Sequence, residues 1–109
     1  MAYDEGMAQM LRDDLVDVVG ITERNMFGGL CFVLNGNMVC GVHTKGSMFR
    51  VGKSREAEAR AINGAGPMLF TGRAMGGMID VDEEAFQDDD RRAKWLRLSL
   101  TNAQSLPAK

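Results

Sequence analysis

Along the first twenty residues, apolar side chains at Met7, Leu11, Leu15 and Val18, with Met10 and Val19 beside them, recur at helical spacing. Gln9, Arg12, Asp13 and Asp17 fall mainly on the other side. This spacing predicts a helix over residues 4–19, with Asp4 as its N-cap and Gly20 where a left-handed terminating residue is wanted. Residues 21–26 read equally as a short strand or an extended lead-in. The period then changes. From 29 to 34 and from 37 to 43, apolar β-favouring runs flank Asn35-Gly36, a pair that tolerates positive φ and suits the type I′ turn of a hairpin. Lys45-Gly46-Ser47 makes a second turn, and Met48 to Val51 alternate as a further strand. A short Ala- and Glu-rich helix from Arg55 to Ile62 follows, with Ser54 as its cap and Asn63-Gly64 closing it. Met68 to Thr71 and Met78 to Val81 read as two more strands around a glycine-containing connection. Asp88-Asp89-Asp90 opens a last helix that continues through Arg91, Arg92, Lys94 and Arg97, acid first and base last as the helix dipole favours. Its apolar stripe is read as Ala93, Leu96, Leu100 and Ala103, with Trp95 at the margin.

These elements predict an α+β fold of two layers, an antiparallel sheet with helices packed on it, in the order helix, three strands, helix, two strands, helix. One domain is expected over residues 1–103, with 104–109, which contain Pro107, as a flexible C-terminal tail. Gly28, Gly29, Asn35 and Gly36 are the structural turn residues around the central hairpin. The first hairpin strand is apolar on both sides, with Leu30, Phe32 and Leu34 on one and Phe27, Cys31 and Val33 on the other. The chain's own helices can cover one side. The second is expected to be covered by another subunit or a partner, so the chain is read as an interaction module, a homodimer in the first instance. Phe27, Cys31, Val33 and Phe49 are the candidate contact residues, and Leu30, Phe32 and Leu34 form the alternative set.

Charge and composition narrow the chemistry. The formal net charge of −2 lacks the basic excess of a typical nucleic-acid binder. The basic residues of the last helix, with Lys53, Arg55 and Arg73, nonetheless define an alternative, a nucleic-acid-binding accessory to transcription. No apolar run approaches the roughly 20 residues that cross a bilayer. The start, M-A-Y-D-E-G, has no signal-peptide pattern, so a cytoplasmic protein without membrane contact is expected. Two cysteines and one histidine cannot supply the four ligands of a structural zinc site, and neither metal nor cofactor is expected. Gly52-Lys53-Ser54 resembles the end of a phosphate-binding loop, but Ser47 stands where that motif needs glycine. Counting outward from the Asn35-Gly36 turn sets Cys31 opposite Cys40, a possible redox pair; the competing reading is two buried, reduced thiols. Cys40 and His43 lie three apart on one strand and so face opposite sides, which argues against a Cys-His nucleophile. No catalytic residue is expected, and the chain is read as a non-enzyme. Nine methionines are unusual at this length and suit either core filling or an adaptable contact surface.

With these motifs in order, the chain resembles the N-terminal domain of the TfoX/Sxy family of competence regulators. The resemblance is carried by Met26-Phe27-Gly28-Gly29 before an apolar strand, the Asn35-Gly36 turn, the segment from Gly46 to Val51, the block Phe70-Thr71-Gly72-Arg73-Ala74-Met75-Gly76-Gly77, and Trp95 with Ser105-Leu106-Pro107. It implies a secretion-chaperone-like α+β fold and a regulatory rather than enzymatic role, since full-length members promote transcription of competence genes. It supplies no catalytic residues. The chain closes where those regulators continue into a C-terminal domain, so a stand-alone domain that keeps the association function is expected.

Overall fold

A computed structural model describes residues 3–26, 28–70 and 72–108 of the chain, apart from the side chains of residues 70 and 73–75. Helix α1 spans Glu5–Asp14 and is capped as expected, the Asp4 carboxylate accepting from the backbone N–H groups of Gly6 and Met7 at 2.7 and 3.2 Å. Four strands follow, β1 (Ile21–Met26), β2 (Gly29–Leu34), β3 (Asn37–His43) and β4 (Gly46–Arg50). A 3₁₀ turn at Lys53–Arg55 leads into α2 (Glu56–Arg60), then β5 (Ala65–Phe70), β6 (Arg73–Asp82), α3 (Glu83–Phe86) and α4 (Asp89–Ser105). The sheet is antiparallel throughout its described pairings, in the order β1-β2-β3-β4-β6-β5.

The fold is the expected α+β class, and its element order departs from expectation at two places. Residues 21–26 pair fully with β2, so four strands rather than three separate α1 from α2. Residues 83–86 fold into a separate helix because Asp82 caps it, its carboxylate accepting from the Ala85 N–H at 2.7 Å. Ser54 lies inside the 3₁₀ turn and makes no capping bond to α2.

The helices cover one sheet face. Met7, Leu11 and Leu15 of the first helical segment, Ala59 of α2, Phe86 of α3 and Trp95, Leu96 and Ala103 of α4 pack on Leu30, Phe32, Val42, Phe49, Val51, Ile79 and Val81. Trp95 is fully buried at the centre rather than at the margin: its ring lies 6.1 Å from that of Phe49, and its Nε1–H donates to the Ala59 carbonyl at 3.0 Å. A side chain of this size with one polar atom gains most where both its surface and its N–H are satisfied. The buried stripe of α4 is therefore rotated from the expected one and runs Arg92, Trp95, Leu96, Ser99, Asn102 and Ala103, with Ala93 exposed. The last helix reaches Ser105, and beyond it the Pro107 carbonyl accepts from the Asn37 side-chain amide at 2.9 Å.

Candidate functional site

The central hairpin is built as its turn dictates: Asn35 and Gly36 both have positive φ, 51° and 87°. Gly28 also turns with φ 73°, and Gly29 is required by close approach, because a β-carbon there would collide with the Val42 carbonyl of the neighbouring strand. Beyond the turn, Leu34 pairs with Asn37 and Val33 with Met38, and the register then slips: Phe32 faces Cys40, and Cys31 faces Gly41. Val39 is the extra residue, a bulge that turns Val39 and Cys40 together toward the helices.

This bulge overturns the expected Cys31–Cys40 pair. Cys40 lies in the helix-covered core, while Cys31 belongs to a cluster on the opposite face, so the two thiols do not meet and both are free. Burial pushes the Cys31 thiol up to about 11 and raises Cys40 well above the usual thiol range. Both are buried thiols rather than activated nucleophiles.

The expected contact residues are also relocated. Cys31, Val33 and Phe49 are enclosed within the single chain, at 0%, 2% and 0% exposure, and Phe27 lies outside the described residues. The alternative set, Leu30, Phe32 and Leu34, is buried under the helices. All of β2 is covered without a second molecule, since the second sheet face closes over its own side chains. That face holds a cluster of Cys31, Met38, Met48, Met68 and Met78, with Met26 packed against it. Its sequence signal was the recurrence of methionine at 38, 48, 68 and 78, in β3, β4, β5 and β6 respectively.

What remains open is the sheet's border. Strand β1 is an edge whose residues Thr22 to Asn25 are exposed, and it has neither proline nor bulge. The opposite edge, β5, contains Pro67 and a register shift between Pro67 and Leu69, two features that blunt a strand against further pairing. Beside β1, Val16 and Val19 are exposed at 76% and 92%. Arg12 reaches from α1 to Glu23 at 2.7 and 3.0 Å and to Glu5 at 2.9 Å; its hydrogen bond to Glu23 draws that carboxyl below its ordinary range.

Away from this edge, two recesses among the described residues carry charged groups. In one, a pocket of about 400 Å³ lined by residues that include Gly28, Lys45, Pro67 and Leu69, His43 Nε2 lies 2.7 Å from Asp80 Oδ1. The Lys45 backbone N–H donates to His43 Nδ1 at 3.1 Å, so the ring proton sits on Nε2 and is donated to Asp80. Neither cysteine lines this pocket, and the Cys-His arrangement is not assembled. The other, about 590 Å³, lies along α4 beside Asp14. Its Arg92 is spent internally, donating to Asp14 at 2.7 Å, Asp89 at 2.8 Å and the Phe86 carbonyl at 2.9 Å, with the guanidinium over the Phe86 ring. Burial opposes the Arg92 charge, yet the two carboxylates hold its pKa above the ordinary value. Arg91 pairs with Asp88 and donates to the Asn63 carbonyl, so of the four cations expected on this helix Lys94 and Arg97 are the exposed ones. Among the described residues, no three His, Cys, Asp or Glu side chains converge as a metal site, and no helix is long and apolar enough to cross a membrane.

A six-stranded antiparallel sheet with helices on one face and a central hairpin turning at Asn35-Gly36 defines a small α+β domain. The chain belongs to the TfoX N-terminal domain family, whose model matches residues 13–103. No curated protein and no solved structure matches it.

Proposed function

We propose that this chain is a non-enzymatic, cytoplasmic protein-interaction module with a regulatory role, and that it associates as a homodimer through the open edge of its sheet. The observation that carries the reading is the open β1 edge, exposed from Thr22 to Asn25 and blunted by neither proline nor bulge. The unpaired backbone groups of an edge strand supply the attraction. Exposed Val16 and Val19 add apolar surface beside the same edge. The regulatory part of the reading rests on family membership, and the absence of a role in catalysis on the two thiols being buried and separated.

The nucleic-acid alternative has less support, because Arg91 and Arg92 are engaged with Asp88, Asp14 and Asp89. Multi-angle light scattering tests the dimer: the expected mass is twice the 11.9 kDa of one chain. Arg24→Glu gives each edge two adjacent carboxylates, which repel across the pair whether 23 or 24 meets its own copy, and is expected to give a monomer with unchanged circular dichroism. A wild-type protein that stays monomeric at micromolar concentrations, or an Arg24→Glu variant that dimerises equally well, would overturn the proposal.

A further inference from the structure

The two faces of the sheet are filled by different chemistry. Among twenty buried residues on the helix side there is one methionine and one cysteine. On the other face every buried member of the cluster is a sulfur residue. Packing alone does not call for this separation, since leucine fills the same volume, as it does repeatedly on the helix side.

The register shows how these side chains come together. Cys31, Gly41, Met48 and Asp80 form one cross-strand row over β2, β3, β4 and β6. Gly41 leaves the middle of that row without a side chain, and the Met48 methyl occupies the space: a β-carbon at 41 would stand 3.0 Å from Met48 Cε. The Met48 side chain therefore reaches across β3 toward Cys31. Met78 is two residues from Asp80 on β6, on the same face, and partly buried Met26 packs at the margin, where the Cys31 Sγ–H reaches its carbonyl at 3.8 Å.

We propose that this cluster is a binding site for a soft monovalent metal ion, copper(I) or silver(I), with the Cys31 thiolate and the Met48 and Met78 thioethers as ligands. Three features select that class. Thiolate and thioether donors suit soft ions and not magnesium, calcium or manganese. One thiolate neutralises a monovalent ion, leaving no net charge in an apolar cluster, whereas a divalent ion would leave a buried positive charge. Cys40, the other thiol, is turned away by the Val39 bulge, so the site has a single anionic donor. Binding replaces the S–H bond by a sulfur–metal bond and releases the proton to solvent, with no change of oxidation state.

The test uses the reduced full chain without oxygen, titrated with copper(I) against a colorimetric chelator and with silver(I), which is redox-inert. Native mass spectrometry reads stoichiometry, and a pH indicator reads proton release. One ion and one released proton per chain are expected. Cys31→Ser should abolish binding, while Cys40→Ser should leave affinity unchanged. The double variant Met48→Leu/Met78→Leu nearly conserves volume, so it keeps a folded chain for measurement. It should bind roughly tenfold or more weakly at an unchanged melting temperature. The proposal is overturned if wild-type protein takes up neither ion, if Cys31→Ser binds like wild type, if Cys40→Ser loses binding equally, or if the double leucine variant binds undiminished.

Discussion

Arg92 and Asp14 meet at 2.7 Å although 78 residues separate them in the chain, and their ion pair ties the end of α1 to the first turns of α4. The Arg92 side chain is only 8% exposed, while the carboxylates of Asp14 and Asp89 are nearer solvent. Replacing Arg92 by Met keeps most of the apolar stem but leaves the Phe86 carbonyl without its donor. A loss of about 2–3 kcal/mol is expected, the range for removing a charged hydrogen-bonding partner from a largely buried site. Asp14→Asn should cost less, about 1 kcal/mol, because Asp89 and Phe86 still hold the guanidinium. Urea denaturation, comparing midpoints at constant slope, measures both.

The buried thiols predict an alkaline weakness. Both cysteines have folded-state pKa values raised above the ordinary 9.0, Cys31 to about 11. Between those values the unfolded chain has lost thiol protons that the folded chain retains, so the stability due to Cys31 is complete below pH 9 and is lost as pH rises toward 11. Cys31→Ala should flatten its share of that decline in denaturation midpoints measured from pH 8 to 11. At neutral pH, alkylating reagents should label neither thiol in the native protein and both after unfolding without reductant.

Asn37 is 1% exposed, and its side-chain amide donates to the Pro107 carbonyl. A chain ending at Leu106 leaves that amide buried without its acceptor. The expected cost is about 1–2 kcal/mol, or a fall in melting temperature of roughly 4–8 °C for each kcal/mol. Asn37→Ala combined with the truncation should add little more, since the partner is already gone.

Trp95 is the only tryptophan, so its emission reports one location. Full burial against Phe49 predicts emission at short wavelength that moves red on unfolding. Trp95→Phe removes both ring volume and the hydrogen bond to the Ala59 carbonyl, and should cost about 2–4 kcal/mol by thermal or chemical denaturation.

Local signals carried much of the fold. Asn35-Gly36 specified its turn because two adjacent residues must accept positive φ, and Asp4 and Asp88 specified helix starts through their own side chains. The failures are non-local. Nothing around Val39 announces a bulge, yet that one residue reverses every face assignment beyond it and separates Cys31 from Cys40. Arg92 read as part of a solvated basic face because its partner Asp14 lies at the far end of the chain. The second sheet face looked uncovered because its sulfur side chains meet only across strands, where Gly41 makes room for Met48. The β1 strand stayed one of two readings for a simpler reason: residues 21–26 are polar enough to pass for an extended lead-in.

Pro67 and the adjacent register shift give the molecule a polarity that its strand count conceals. A ribbon blunted along one border can grow only from the other. Any strand that docks there consumes the sole place for extension, so assembly by this route halts at a closed pair and cannot run on into filaments.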